Sequence, residues 1–287
     1  FFENIISSIG NDCTKFDIPD VKVINYLWDA IELNDKEIIN DFSYFNSGVK
    51  KDDKFENVSF INKKDIYLGN DCKLAPNVVI DASDGPVIID NNVKIMPNSS
   101  IFGPCYIGKN SIIRTGAKIY GKTTIGEVCK IGGEVENSIV HAYSNKQHDG
   151  YLGHSYISEW VNIGADTNTS DLKNTYGEIK VNLEGREINT HRIFLGLLCG
   201  DHSKAGINTM FTTGTVAGIA GILVNEWFLP NTISSFSWGG GKNSSVYKAS
   251  KAIDIAKIVM ARRNKTLLPE EEILIQREHD KIIQMHK

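Results

Sequence analysis

No stretch of the 287-residue chain approaches the 18 to 20 consecutive apolar residues that a transmembrane helix needs, so no membrane partner is expected. Positive charge is not in excess. With 31 Lys and Arg against 35 Asp and Glu the net charge is −4, and nucleic acid is not an expected partner. That leaves small anionic substrates open, because one or two well-placed cations suffice for them. Cysteine is scarce and unpaired in pattern: Cys13, Cys72, Cys105, Cys129 and Cys199 are odd in number, and none has the spacing of a zinc or redox motif. They read as small core residues of a protein in a reducing, cytoplasmic compartment. The start, Phe1-Phe2-Glu3-Asn4, has no initiator Met, basic segment or cleavage site, and the expectation is a chain that continues upstream.

What is present is a repeat. Ile89, Ile95, Ile101, Ile107, Ile113, Ile119, Ile125 and Ile131 follow one another at intervals of six. Four residues after each stands a small or β-branched residue, among them Val93, Ser99, Cys105, Ser111, Ala117, Thr123 and Cys129. An α-helix turns every 3.6 residues and would scatter positions six apart over different faces. A single strand of this length could not persist without turns. The spacing fits one short strand and one corner per hexapeptide, with three sides closing a triangular coil. Coils stack at about 4.8 Å, and each isoleucine is buried only by those of its neighbours. The chain is therefore read as mainly β, a parallel β-helix. Its left-handed winding, which runs against the usual right-handed crossover, is taken from the resemblance of the hexapeptide pattern to known left-handed β-helices.

The register starts earlier, at Leu68, Leu74 and Ile80, with an insertion at Ser83-Asp84-Gly85. After Val135 a polar loop, Ser138 to Gly153, is expected before the pattern resumes at Ile157 and Ile163. Alternation at Ile179, Val181 and Leu183, with Glu184-Gly185 before Ile188, predicts a β-hairpin. The last coils are expected at Ile193, Cys199, Ala205, Phe211 and Ala217. Helices are predicted on both flanks: Tyr26 to Phe42, packing through Trp28, Ile31, Ile38 and Ile39; Ser245 to Arg263; and one opening at Pro269-Glu270-Glu271-Glu272, where acids suit the positive helix end. The C-terminal helices are expected to cap the β-helix end or clasp a neighbouring subunit. The division is thus 1–57, a remnant of an upstream α/β domain with a linker helix; 58–238, the β-helix; and 239–287, a helical extension.

Rigid repeats place function on their irregular segments. His148-Asp149-Gly150-Tyr151-Leu152-Gly153, followed by Val161-Asn162-Ile163-Gly164-Ala165, resembles the acetyltransferase half of the bifunctional N-acetylglucosamine-1-phosphate uridyltransferase family. Tyr26-Leu27-Trp28-Asp29, Ser144 to Gly150, Gly200-Asp201-His202-Ser203, Gly206 to Met210 and Ser237-Trp238-Gly239-Gly240 resemble a bacterial group of sugar nucleotidyltransferases with a similar β-helix. The resemblance implies acetyl-CoA as cofactor, an amino-sugar phosphate as substrate and a homotrimer. It implies His148 as the general base that frees the amine to attack the thioester. It places Tyr151 and Asn162 against the sugar, Arg114 on the phosphate and Ala165 along the acetyl-CoA track. The chain departs from the family at Glu136, where a lysine is expected (Lys130 or Lys146 could substitute), at Asp171-Leu172 in place of Asn-Tyr, and at Ile207 in place of a serine.

Plainer readings stand beside these. Tyr151 can be a packing residue, Asn162 a turn residue, and Arg114, Lys130 and Lys146 solvated charges; His141, His154 and His202 read as structural. A zinc site of the carbonic-anhydrase-like kind would draw on His141, His148 and His154, but the spacing of His148 and His154 argues against it. Alternatively the rod is a trimeric platform for an upstream nucleotidyltransferase domain, whose glycine-rich loop and magnesium-binding acids have no counterpart in these residues; magnesium would be needed only with that domain.

Overall fold

The computed structural model describes residues 21–45, 55–224, 227–239, 241 and 244–285. Cys13 and Gly240 lie outside the described residues, as does much of the segment read as an upstream remnant. The chain forms a parallel β-solenoid whose short strands stack into three faces. The first face runs from Ser59–Ile61 to Tyr151–Gly153 and is continued by Asn168–Thr169 and Met210–Phe211. The second runs from Ile66–Leu68 to Thr232–Ile233, and the third from Lys73–Leu74 to Ser237–Gly239.

The sixfold isoleucines build the core as their spacing predicts. Ile95, Ile101, Ile107, Ile113, Ile119, Ile125 and Ile131 are all fully buried, and Ile107 pairs in register with Ile89 and Ile125 on adjoining coils. Burying one such side chain contributes on the order of 1.5–3 kcal/mol. The small residues at the corners serve a second purpose. Buried Ser99, Ser111, Ser144 and Ser203 donate their hydroxyls to the carbonyls of Arg114, Gly126, Ser158 and Gly218 on the next coil at 2.7–2.8 Å. Each coil is thereby tied to its neighbour without leaving a buried hydroxyl unmet. Many corners need a left-handed backbone, and Asn77, Asn92, Asn98 and Asn110 supply it with φ between 58° and 64°. Asparagine tolerates that conformation better than most residues.

The coils are unequal. Register partners are 18 residues apart at Ile107 and Ile125, 21 at Leu68 and Ile89 across the Ser83-Asp84-Gly85 insertion, 15 at Ile125 and Val140, and 17 at Val140 and Ile157. The expected polar loop at Ser138–Gly153 is therefore not a loop. Ile139–Val140, Asn145–Lys146 and Tyr151–Gly153 continue the second, third and first faces. Lys146 takes the inward position next to Ile131 and is 3% exposed, so it is not a surface charge. Its Nζ donates to the carbonyls of Gly132 (3.0 Å) and His148 (2.9 Å), and burial pushes the ammonium down to about 8.

The hairpin forms as expected from Lys180–Leu183 and Arg186–Asn189, turning through Glu184 and Gly185, both at positive φ. Helix α1, Leu27–Phe42, packs on the second face. Trp28 and Ile31 join a small core with Ile179, Val181, Leu195 and Leu198, and Asn34 bonds Lys122 O and Thr124 Oγ1. Two expected core positions face water instead: Ile39 on the far side of α1, and Ile193, where the excursion has not yet rejoined the solenoid. Leu195 and Leu197 restart the core there. Helices α2 (Ala249–Ala261) and α3 (Pro269–Met285) pack together against Trp160, Ala220 and Phe236, along the solenoid wall. Val246, expected in a helix, lies in the short strand Ser245–Val246, which pairs antiparallel with Ser237–Gly239.

Candidate functional site

The residues singled out in the sequence fall on two neighbouring regions of the solenoid. Arg114 follows the third-face strand Ile112–Ile113, while His148 and Ala165 sit just past the third-face strands Asn145–Lys146 and Asn162–Ile163. All three occupy the corner where the third face turns into the first. His148 is exposed there, Arg114 and Ala165 partly so. Asn162 opens outward from the third face itself, into a cleft under α2. Tyr151 is on the first face. The structure therefore does not gather all five around one point within a single chain.

A polar cluster surrounds Tyr151. Gly153 follows two residues later on the same outward side of the strand, and its missing side chain lets the phenol ring lie across the face; a Cβ there would strike Tyr151 Oη and Asp171. The Tyr151 hydroxyl donates to Asp171 Oδ2 at 2.9 Å and lies 3.2 Å from Glu136 Oε2. His154 Nδ1 is 2.7 Å from the same Asp171 oxygen, and the imidazole stacks on Phe194 with ring centroids 4.9 Å apart. Burial raises the Asp171 carboxyl, but the hydrogen bonds from His154 and Tyr151 outweigh it and hold the group below its ordinary value. Burial, with both carboxylates nearby, drives the Tyr151 phenol well above its usual range, so it remains a donor.

His154 also lines a pocket of about 300 Å³ between the solenoid, α1 and the segment around Phe194. Trp28, Ile31 and Phe194 give it apolar walls; His191 and the ion pair of Arg192 with Glu32 give it polar ones. Among the described residues, two buried atoms of its lining, Asn137 Oδ1 and Arg192 Nε, have no hydrogen-bond partner. His154 Nε2 has none either among the described residues. An imidazole fixed through Nδ1 by a carboxylate, with Nε2 open, is the arrangement in which histidine accepts a proton.

Sequence reasoning left His154 as structural, since its partner Asp171 is 17 residues away. The only signal was Asp171 itself, noted as a departure from Asn-Tyr. The other histidines are engaged separately. His141 Nε2 meets the Tyr156 hydroxyl at 2.7 Å, and His202 stacks on Trp160, where burial pushes it down to about 4. His141 and His154 thus point to different partners, and among the described residues no group of three or more His, Cys, Asp or Glu side chains is placed to hold a metal ion.

The short parallel strands recur about every six residues, a hexapeptide repeat, and residues 86–121 match the family described as bacterial transferase hexapeptide (six repeats). The chain has acetyltransferase and nucleotidyltransferase relatives. It is 38% identical over 140 residues to a bifunctional sugar-1-phosphate nucleotidylyltransferase/acetyltransferase of Sulfurisphaera tokodaii, covering 47% of this chain and 34% of that protein. It is 29% identical over 254 residues to the bifunctional protein GlmU of Methanococcus aeolicus, covering 88% of this chain and 59% of that one. The chain thus spans less than two thirds of either relative. Among solved structures, a UDP-N-acetylglucosamine acyltransferase from Campylobacter jejuni aligns over 78% of this chain and 81% of its own, at 16% identity and a TM-score of 0.29.

Proposed function

We propose that this chain transfers the acetyl group of acetyl-CoA to the amine of an amino-sugar 1-phosphate, working as a cytoplasmic homotrimer. The observation that carries the reading is the linked Tyr151–Asp171–His154 cluster: a residue expected against the sugar shares its carboxylate with a histidine poised to take a proton.

The chemistry follows from charge. At neutral pH the acceptor is an ammonium, which cannot attack a thioester until it loses a proton. The Glu136 and Asp171 carboxylates beside the Tyr151 hydroxyl favour an ammonium at this place, where a lysine would favour phosphate. His154, held through Nδ1 by Asp171, takes the proton at Nε2. The freed amine attacks the thioester carbonyl; as the C–S bond breaks the nitrogen gives up its second proton, and the thiolate takes up that proton and leaves as coenzyme A. His148, which the resemblance assigns as base, stands at the open corner and is the competing candidate. Arg114 at that corner remains the proposed phosphate ligand, Asn162 a sugar contact from the third face, and Ala165 a marker of the acetyl-CoA path. A flat-sided prism gains a deep cleft only when another packs against it, which is why a cyclic trimer belongs to the reading.

Thiol release from acetyl-CoA in the presence of several amino-sugar phosphates tests it, together with sedimentation of the purified chain. Turnover dependent on the acceptor, by a species of three chains, is the expected result. No thiol release with any acceptor would support the other reading, a platform for an upstream nucleotidyltransferase domain.

A further inference from the structure

A second feature of the molecule shares only Asn162 with the residues given roles above. Under α2, against the third face, lies a cleft of about 480 Å³. Its floor is the outward side of four successive register partners, Lys130, Asn145, Asn162 and Lys204. Its wall is Arg262 and Arg263, which follow the last residue of α2, Ala261. Four cations and several amides therefore line one cavity, and among the described residues no carboxylate lines it.

The charges are not neutralised from outside. Among the described residues none of the four forms an ion pair, although Lys109, Lys118 and Lys257 elsewhere each hold a glutamate at 2.7–3.0 Å. Arg263 Nη2 donates to Asn145 Oδ1 at 3.2 Å, which ties the wall to the floor. Lys204 is held by the carbonyls of Trp160 and His202, both at 2.7 Å. Burial, then the positive charge of Arg263, Arg114 and Arg262, lowers the Lys130 ammonium. Like charges so close repel, and a cavity built this way is stabilised by an anion. Two cations after a helix would be explained by the negative end of its dipole. The two lysines across the cleft would not.

We propose that this cleft binds a ligand carrying two or more phosphoryl groups. Three coil steps separate Lys130 from Lys204, about 14 Å at the usual strand spacing. That is too long for one phosphate and suits a diphosphate with a further charged or polar part. Guanidinium groups fork onto phosphate oxygens, and the amides of Asn145 and Asn162 can serve the neutral part. The chemistry is shared by coenzyme A and by a nucleoside diphosphate, and it stands whether or not the chain transfers acyl groups.

The test is calorimetric titration of the purified chain with pyrophosphate, coenzyme A and ADP, for wild type, Lys130→Gln/Arg263→Gln and the control Lys94→Gln, an exposed lysine lower on the same face. Thermal melting checks that each variant is folded. Pyrophosphate should bind wild type and Lys94→Gln alike and the double variant at least tenfold more weakly, with a smaller dependence on salt. Tighter binding of coenzyme A than of ADP supports the site with the thioester donor as source; the reverse supports it with a nucleotide. No binding by any of the three, or equal binding by the folded double variant, overturns the inference. A chain that binds pyrophosphate through Lys130 and Arg263 yet releases no thiol would leave this site standing and remove the proposed reaction alone.

Discussion

Lys146 stands in register beside Ile131, yet ends in an ammonium that donates to the carbonyl of His148 at 2.9 Å. A charge therefore sits in the aliphatic interior of the solenoid and ties down the backbone of the corner that carries a proposed base. In water a lysine holds its proton to about 10.4; here burial lowers it to about 8. Because the folded value is depressed, the unfolded chain binds more protons between those values. The penalty of the buried charge is full below pH 8 and is relieved as pH rises through that window. Comparing wild type with Lys146→Met cancels the other titrating groups. The stability of wild type relative to the variant is expected to rise by on the order of 3 kcal/mol between pH 7 and 10.5. Denaturant unfolding at the two pH values measures it, and a flat difference would place the ammonium in water.

His154→Ala and Asp171→Asn are expected to lower thiol release with an amino-sugar phosphate acceptor by roughly 10²–10⁴-fold, the range for loss of a general base or its orienting partner. If His148→Ala shows the loss and His154→Ala keeps the wild-type rate, the base is the histidine at the open corner.

Gly153→Ala should move the Tyr151 ring off the first face, because the added methyl would overlap the ring carbon Cζ as well as the hydroxyl. The expected destabilisation is about 1–3 kcal/mol, typical of overpacking. Tyr151→Phe in the same background removes the hydroxyl but not the ring, so it should recover little of that loss. Thermal melting of the single and double variants decides the matter.

Ile119→Ala removes a fully buried side chain from the middle of the stack and should cost about 2–5 kcal/mol. Ile39→Ala, on the exposed side of α1, should stay within about 0.5 kcal/mol. Equal effects at the two positions would contradict the three-faced arrangement.

The solenoid was legible because Ile89 to Ile131 repeat without a break, and only one geometry buries residues six apart. The pattern hid the coil from Ser138 to Gly153, where Lys146 takes an aliphatic place and the neighbouring coils are 15 and 17 residues long. Composition cannot show that a lysine will find two carbonyls inside a core. Ile39 and Ile193 misled for the opposite reason: an apolar residue at a fitting interval need not face inward once a helix or excursion leaves the stack. Of the site, Tyr151 was legible through resemblance. His154 was not, since what distinguishes it is Asp171, brought near by the fold. The cationic cleft joins Lys130 to Arg263 across more than a hundred residues, a distance no local pattern spans.

The unequal coils bear on how a repetitive chain finds one structure. If every turn had the same length and the same isoleucines, a strand could settle one rung too high or too low with hardly any loss of contact. Turns of 21, 15 and 17 residues give the ladder steps of different size. The lone ammonium marks one rung at which only a single neighbour will do. Irregularity thus acts as an address: it tells each segment where in the stack it belongs, and it makes a slipped assembly costly from its first misplaced turn.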